Sequence, residues 1–309
     1  MPNYSELLAS AAAAAGIDAA VVTPTDHFVT LNGLRFHYLD WGNAGLPTLL
    51  FLHGGRLQAH TWDLAALLLR DHYHIIALDQ RGHGDTGWTP DAQLNEDAWD
   101  LMLDDVTAFI DYLHIDKIIL VGMSMGGINT MRYAARHPQR LLAVGIVDVA
   151  PELEREGTLL INSFDRDTET LSSFDDFLNR SIQYMPYRPV AHLRYSLLHA
   201  LKQLPDGRWS WKADHRPAAL QRKQRQLEAD TMQGVFFDLW EDVKKISAPT
   251  LLFRGAQSQT LTSAVADKMV ATLPNGRLVT IDPATHNVHS DNPKDFAQEL
   301  DRFLQDVLP

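Results

Sequence analysis

The sequence predicts an α/β fold with a mostly parallel central sheet, helices on both faces and a helical lid insertion. Short apolar runs without polar alternation, which are typical of strands covered on both faces, alternate with helical patterns up to residue 150 and again after residue 245. Between these two parts the apolar residues recur at helical spacing, so no buried strand is predicted there. This arrangement predicts one sheet interrupted by an insertion.

The individual elements follow from these patterns. Residues 27–30 and 34–41 are predicted to form a hairpin, because the turn Asn32-Gly33 between them favours a tight reversal. Further strands are predicted at 47–52, 74–78, 117–121, 141–149, 249–253 and 277–281. Helices are predicted at 61–70, at 98–113 with Asn95 as the N-cap, and at 128–137, 263–273 and 293–307.

Four segments are expected in the chain. Residues 26–150 and 246–309 should form the two parts of the core, and residues 151–245 should form a lid over the carboxyl ends of the strands, where open α/β sheets bind ligands. Residues 1–25 should form an N-terminal helical arm, either frayed on the surface or packed on the lid or on a neighbouring subunit. The lid is rich in aromatic residues, which either form its own core or line an apolar pocket: Phe164, Phe174, Phe177, Tyr184, Tyr187, Tyr195, Trp209, Trp211, Phe236, Phe237 and Trp240.

Composition excludes several classes of protein and site. A net charge of −12 argues against nucleic acid or an anionic membrane as a partner. The absence of cysteine excludes disulfides, thiolate catalysis and cysteine metal sites. His72 and His74 could share one face of a strand but lack a third ligand nearby, so no metal site is expected. The first 20 residues lack a basic region and contain Glu6 and Asp18, which favours a cytoplasmic protein, with a homo-oligomer left open.

A serine lies at the turn between a predicted strand and a predicted helix, in the stretch Gly122-Met123-Ser124-Met125-Gly126. Such a turn forces the serine into a strained backbone conformation, and side chains at positions 122 and 126 would collide with neighbouring backbone. The hydroxyl group of Ser124 should therefore stand exposed beside the first N–H groups of the helix, which favour an oxyanion.

Four motifs, in this order, resemble those of the α/β-hydrolase superfamily, and the resemblance covers nearly all of the chain after about residue 25. They are His53-Gly54-Gly55, the turn Asp79–Gly84, the Gly-x-Ser-x-Gly stretch at Gly122–Gly127, and Thr285–His289 followed by Asn292-Pro293. The resemblance implies the fold strongly and the reaction only weakly, because this fold carries many chemistries.

The resemblance implies a catalytic triad whose nucleophile is Ser124. A serine hydroxyl needs a base to take its proton, and the base needs an acid to orient it. His286 follows the last predicted strand, as the superfamily order of nucleophile, acid and histidine requires, whereas His289 is the local competitor. Dehalogenases and epoxide hydrolases of this superfamily carry an aspartate at the position that corresponds to Ser124. The serine therefore argues against both activities.

The acid departs from the commonest pattern of the superfamily. Most members carry an aspartate a few residues after the seventh strand, where this chain has Gln259. A neutral amide cannot stabilise an imidazolium as a carboxylate does. Asp148, at the end of the sixth predicted strand, can supply the charge, as in some relatives, and Asp267 and Asp282 are poorer candidates.

The oxyanion donors implied by the resemblance are the backbone N–H groups of Met125 and Gly55. His53 and the 79–84 turn are interpreted as structural groups that frame the site. Arg56, beside the oxyanion loop, either anchors that loop or binds a substrate carboxylate.

The leading hypothesis is a cofactor-independent serine hydrolase that cleaves an ester, lactone or amide of a small, partly apolar substrate. Three alternatives stay open. The chain could hydrolyse a C–C bond of a ring-cleavage diketone, use His286 and Asp148 alone as a cofactor-free dioxygenase, or be a ligand-binding receptor on a hydrolase fold. Loss of activity on Ser124→Ala would separate the two hydrolases from the dioxygenase, and a receptor should bind tightly but turn over poorly.

Overall fold

The computed structural model describes residues 3–214, 216 and 239–308. In chain order the strands are β1 (Thr25–Leu31), β2 (Leu34–Asp40), β3 (Thr48–Leu52), β4 (His74–Leu78), β5 (Ile118–Met123), β6 (Leu141–Val147), β7 (Thr170–Leu171), β8 (Leu201–Gln203), β9 (Trp209–Trp211), β10 (Thr250–Gly255) and β11 (Gly276–Ile281). The helices, numbered here among the described residues, are α1 (Tyr4–Ala14), α2 (Asp63–Leu69), α3 (Ala98–Tyr112), α4 (Met125–Arg136), α5 (Arg155–Asp167), α6 (Phe174–Tyr184), α7 (Val190–Ala200), α8 (Leu239–Lys245), α9 (Ser263–Thr272), α10 (Val288–Asp291) and α11 (Pro293–Val307).

An eight-stranded, mostly parallel sheet forms the centre of the molecule, as predicted. Its order is β1-β2-β4-β3-β5-β6-β10-β11, and only the pairs β1–β2 and β2–β4 are antiparallel. The predicted hairpin turn has positive φ at both Asn32 (51°) and Gly33 (74°), which matches the twist of the two strands. The carboxyl ends of the parallel strands meet at one edge, where the candidate site lies.

Helices cover both faces of this sheet because its central strands are apolar on both sides. Leu49 and Phe51 of β3 pack into one hydrophobic layer, which includes residues of α1, α2 and α11. Leu50 and Leu52 of the same strand pack into the opposite layer with residues of α3, α4, α8 and α9. The predicted cap of α3 is wrong by two residues: the side chain of Asp97, not Asn95, accepts the N–H groups of Trp99 and Asp100.

The segment between β6 and β10 is not only helical. Beside α5, α6 and α7 it contains a three-stranded antiparallel sheet in the order β7-β9-β8, which the sequence did not predict. Strands of two or three residues show too little alternation to be separated from a helical pattern. Phe177, Leu197, Leu201 and Trp211 form a small core here. The predicted aromatic residues Phe236 and Phe237 lie outside the described residues.

The N-terminal helix α1 packs on the lid segment and on the core. Its residues Leu8, Ala11 and Ala12 are fully buried, and the hydroxyl groups of Tyr4 and Tyr195, the latter on α7, are 2.8 Å apart. Of the arrangements considered for this segment, the structure shows packing on α7, which lies within the predicted lid. Within the described part of the chain, every helix is too short or too polar to cross a membrane.

Candidate active site

Ser124 lies at a sharp turn between β5 and α4. Its backbone has φ 51° and ψ −114°, a conformation that non-glycine residues rarely adopt. A Cβ atom at Gly122 would lie 2.2 Å from the carbonyl oxygen of Gly126, and one at Gly126 would lie 2.2 Å from that of Leu52. The predicted collisions at positions 122 and 126 are therefore confirmed, and they explain why glycine flanks the serine.

A histidine and an aspartate meet beside this turn. His286 follows β11, and its Nδ1 lies 2.8 Å from Oδ2 of Asp148, which directly follows β6. Asp148 is fully buried and adopts φ 50°. The other carboxylate considered after the last strand, Asp282, is exposed and accepts a hydrogen bond from Gln257.

The competing histidine, His289, lies elsewhere. It is buried, and its Nε2 is 3.1 Å from the hydroxyl oxygen of Thr61. Burial and nearby positive charge hold the pKa of His289 well below 6.5. The geometry thus brings His286, rather than His289, to the buried carboxylate.

Ser124 and His286 line one cavity of about 330 Å³, to which Gly55, Arg56 and Met125 also contribute. Among the described residues, the hydrogen bonds of His286 go to Asp148 and Thr260 rather than to Ser124. Catalytic hydrogen bonds are often long in ligand-free enzymes and shorten when substrate binds. The cavity thus contains every predicted site residue except the buried Asp148.

The loop after β10 lacks the usual carboxylate but supplies hydroxyl groups to Asp148. Ser258 and Thr260 donate to its Oδ2 at 2.5 and 2.8 Å, and the N–H group of Gly255 donates to its Oδ1 at 3.0 Å. Ser258 and Thr260 were not among the residues predicted from the sequence. The two hydroxyl residues that flank the exposed Gln259 are the signal that could have identified them.

The loop after β3, which contains Gly54 and Gly55, is held by hydrogen bonds around His53. Since a carbonyl oxygen can only accept, His53 Nδ1–H donates to the carbonyl of Gly54 at 2.7 Å, and its Nε2 accepts the N–H of Gln80 at 3.0 Å. Burial lowers the pKa of His53, so the ring is neutral. Met125 is the first residue of α4, and its N–H group therefore has no partner within the helix.

The 79–84 turn forms another wall of the cavity. Arg81 donates to both carboxylate oxygens of Asp105, at 2.6 and 2.9 Å, so its charge is already paired. Burial and the neighbouring His53 lower the pKa of His83 to about 3, and its neutral ring also lines the cavity. These contacts agree with the prediction that the 79–84 turn has a structural role at the edge of the site.

Apolar residues from both the core and the lid segment complete the cavity. The core contributes a group that the sequence analysis did not single out, mostly on α3 and the loop before it: Leu57, Leu94, Trp99, Leu101 and Met102. The lid segment contributes Ile161, Phe164, Tyr184, Met185 and Trp211. Phe164 and Tyr184 stack with their ring centroids 4.2 Å apart.

One group of potential metal ligands occurs among the described residues. Potential ligand atoms of His37, Asp79 and Asp85 lie within 4.8 Å of one another. However, His37 Nδ1 is 2.7 Å from Asp79 Oδ2, and Asp79 also accepts the N–H groups of Ala59 and Asp85 at 2.6 and 2.8 Å. Because the Asp79 carboxylate already has these partners, the proximity of the three residues is explained by a buried ion pair rather than by a metal site.

Comparison with known proteins identifies the family. Residues 49–299 match the model of the alpha/beta hydrolase family. The esterase Rv0045c of Mycobacterium tuberculosis is 30% identical over 270 residues, which cover 83% of this chain and 82% of the relative. A structure of that esterase superposes with a TM-score of 0.76 at 26% identity over 98% of this chain and 99% of that one.

A second relative has a more specific name. The 2-(acetamidomethylene)succinate hydrolase of Mesorhizobium japonicum is 25% identical over 302 residues, which cover 93% of this chain and 99% of the relative. A crystal structure of an E-2-(acetamidomethylene)succinate hydrolase superposes with a TM-score of 0.77 over 91% of this chain and 99% of that one, at 21% identity. This chain belongs to the alpha/beta hydrolase family.

Proposed function

We propose that this protein is a serine esterase that cleaves a carboxylic ester of a small, partly apolar substrate through an acyl-enzyme. The observation that carries the proposal is the contact between the buried Asp148 and His286, which lines the same cavity as the strained Ser124. The esterase names of relatives such as Rv0045c agree with it. A lactone or an amide could react at the same residues.

Each residue of the site has a role in this proposal. Ser124 Oγ attacks the acyl carbon while His286 Nε2 takes its proton, and Asp148 stabilises the resulting imidazolium through Nδ1–H. The N–H groups of Met125 and Gly55 stabilise the oxyanion of the tetrahedral intermediate. The imidazolium then gives its proton to the leaving alkoxide, which departs as an alcohol.

The second half of the reaction reverses these roles. Water attacks the acyl carbon of the Ser124 ester while His286 accepts a proton from that water. The tetrahedral intermediate then collapses, the imidazolium gives this proton to the departing Ser124 Oγ, and the acid is released. Apolar walls around the cavity exclude other water and strengthen the oxyanion hydrogen bonds. Arg56, at the cavity wall, is proposed to contact the substrate.

The test is pre-steady-state hydrolysis of p-nitrophenyl acetate and butyrate. Wild type should show a burst of nitrophenol that matches the enzyme concentration. Ser124→Ala should abolish the burst and lower kcat by roughly 10,000-fold or more, and Asp148→Asn should lower kcat by about 1,000- to 10,000-fold because the imidazolium loses its carboxylate.

Two matched control variants distinguish the loss of a catalytic group from a general effect of substituting a serine or an aspartate. Ser247→Ala and Asp282→Asn change exposed residues and should leave both the burst and kcat within about twofold of wild type. If Asp282→Asn were as inactive as Asp148→Asn, the assignment of the acid would be wrong. If wild type turned over no ester, the esterase proposal would fail, and diketone cleavage, oxygen-dependent chemistry and tight ligand binding would be tested instead.

A further inference from the structure

We propose that Thr260 is a positioning residue that holds the imidazole of His286 against Asp148 and fixes its tautomer; this inference rests on the esterase function proposed above. Thr260 Oγ1, Asp148 Oδ2 and His286 Nδ1 form a triangle whose three sides are all 2.8 Å. Thr260 is 3% exposed, so water does not compete for these bonds. Ser258, the other hydroxyl on Asp148, lies 3.0 Å from Thr260 Oγ1, whereas the hydrogen bonds that His286 makes to described residues go to Thr260 and Asp148.

The hydrogen atoms available determine the direction of each bond. Ser258 Oγ accepts the N–H groups of Thr260 and Leu261 at 3.2 Å each, and its own proton goes to Asp148 Oδ2 at 2.5 Å. Asp148 as a carboxylate has no proton to give. The 2.8 Å contact between this carboxylate and His286 therefore requires a proton on Nδ1. Thr260 Oγ1 also lies 3.0 Å from Ser258 Oγ, but that oxygen already accepts two N–H groups, so the Thr260 hydroxyl donates to Oδ2.

This arrangement gives Thr260 a role that a simple donor to the carboxylate would not have. With its proton directed to Asp148, its oxygen offers a lone pair to Nδ1–H, which is then shared between two acceptors. The tautomer with hydrogen on Nδ1 leaves Nε2 as the proton acceptor that Ser124 needs. The opposite tautomer would place an imidazole N–H towards the serine and could not take its proton.

The backbone around Thr260 is held from two sides, which suits a positioning role. The N–H of Glu154, at the start of the lid segment, donates to the Thr260 carbonyl oxygen at 2.9 Å, and Arg254 Nε donates to the Leu261 carbonyl oxygen at 2.8 Å. A Cβ atom at Gly157 would lie 2.1 Å from the carbonyl oxygen of Gln259, so the lid approaches this loop closely. The loop thus has little freedom to move its hydroxyl away.

The test compares four substitutions on p-nitrophenyl butyrate. Thr260→Val keeps the shape but removes the hydroxyl, and it should lower kcat roughly 10- to 100-fold, the range for a lost hydrogen bond to a charged group, with KM changed less than about twofold. Thr260→Ser should retain most activity because it restores the hydroxyl. Ser258→Ala removes a donor to Asp148 and the 3.0 Å contact with Thr260 Oγ1 but no hydrogen bond of His286, and it should lower kcat less than Thr260→Val. Thr272→Val, at a half-buried position of α9 that does not line the cavity, should match wild type.

A second readout reports the contact itself. The Nδ1–H proton of His286, shared between two acceptors, should give a downfield proton NMR resonance that shifts in Thr260→Val and stays near its wild-type position in Thr260→Ser and Thr272→Val. Equal effects of Ser258→Ala and Thr260→Val on both kcat and this resonance would overturn the positioning role, since Thr260 would then act only as a donor to Asp148. A Thr260→Val enzyme with unchanged kcat and resonance would overturn it as well.

Labelling with a fluorophosphonate separates this inference from the proposed function. A wild type that neither reacts with the probe at Ser124 nor hydrolyses esters would refute the esterase, whatever the resonance shows. A wild type that reacts, together with variants that do not differ, would refute the role of Thr260 alone. Thermal unfolding of each variant identifies any loss of activity caused by unfolding, and rescue by Thr260→Ser excludes that cause.

Discussion

At the scale of single residues, a buried histidine and a buried aspartate outside the proposed triad pair with each other. His37 and Asp79 form a buried pair with Nδ1 and Oδ2 2.7 Å apart. Burial alone would lower the pKa of His37, but hydrogen bonds and charges from Asp79 and Asp26 raise it above 6.5. Burial likewise opposes ionisation of Asp79, but the bond to His37 and its charge hold the pKa of Asp79 at about 2.

This pair predicts a pH dependence of stability. Because the folded-state pKa of His37 is raised, its contribution is fully present below about pH 6.5 and is lost as the pH rises through the folded-state value. The free energy of unfolding of wild type should therefore exceed that of His37→Gln by an amount that shrinks from about pH 6 to pH 9. Urea denaturation across this range measures the difference.

The matched control for this prediction is His72→Gln, since His72 pairs with Asp301 through a side chain that is 57% exposed. Screening by solvent makes such pairs weak, so its difference from wild type should stay small at every pH. A constant difference between wild type and His37→Gln would show that the His37 charge does not stabilise the fold.

At the scale of elements, α1 connects the core to the lid segment through a buried acid. Asp63, on α2, accepts the hydroxyl of Tyr4 at 2.9 Å, that of Tyr195, and the Nδ1–H of His60 at 2.9 Å. Burial and the charge of Asp63 raise the pKa of Tyr4 and of Tyr195, so both stay protonated donors. The stacked rings of His60 and His199, 3.8 Å apart, extend the contact to the end of α7.

Removing one of these donors should loosen the lid segment. Tyr4→Phe leaves the buried carboxylate of Asp63 with one donor fewer and should lower the free energy of unfolding by about 1–3 kcal/mol. We also expect faster proteolysis within residues 151–214 under native conditions. Chemical denaturation and limited trypsin digestion measure the two effects.

Tyr187→Phe provides the matched control, because Tyr187 lies in the same segment but is 40% exposed. It should leave both the stability and the digestion pattern near those of wild type. Equal digestion of Tyr4→Phe and Tyr187→Phe would mean that α1 does not restrain the lid segment.

Most elements of the fold could be predicted from sequence because their cause is local. The run from Ile118 to Met123 is apolar throughout, so its burial on both faces follows directly from the residues. The shift of the α3 cap from Asn95 to Asp97 has a different origin, since both residues can cap and the choice depends on where the loop turns. The small sheet of β7, β8 and β9 depends on pairing between distant segments, which no local pattern contains.

The residues of the candidate site also differ in whether local sequence can predict them. Ser124 and His286 follow from motifs, whereas Thr260 depends on a loop brought beside Asp148, 112 positions away in sequence, by the pairing of β6 with β10. Such a contact is a property of the sheet order rather than of either segment. Asp148 could be inferred only because Gln259 occupies the position of the usual acid. Since Asp148 lies beside His286, its assignment as the acid can be tested by substitution.

At the scale of the whole molecule, the cavity lies between the core and the lid segment, and its shape depends on how these two pack. Met102, on α3, and Phe164, on α5, both line it, although they lie 62 positions apart in sequence. Helical spacing predicts that each side chain lies on the buried face of its helix, but not that both line the same cavity. Together they are expected to limit the length of the acyl chain that the cavity accepts.

Shortening either side chain should therefore extend the chain-length preference. Met102→Ala and Phe164→Ala each enlarge the cavity, and every added methylene group that is buried there contributes about 0.8 kcal/mol, or roughly fourfold in kcat/KM. The optimum among p-nitrophenyl esters of two to ten carbons should move to longer chains in both variants. Leu160→Ala, on the same helix as Phe164 but 44% exposed, should keep the wild-type profile. If only the α3 variant moved the optimum, the acyl group would lie against the core alone, and the lid segment would contact the alcohol part of the substrate instead.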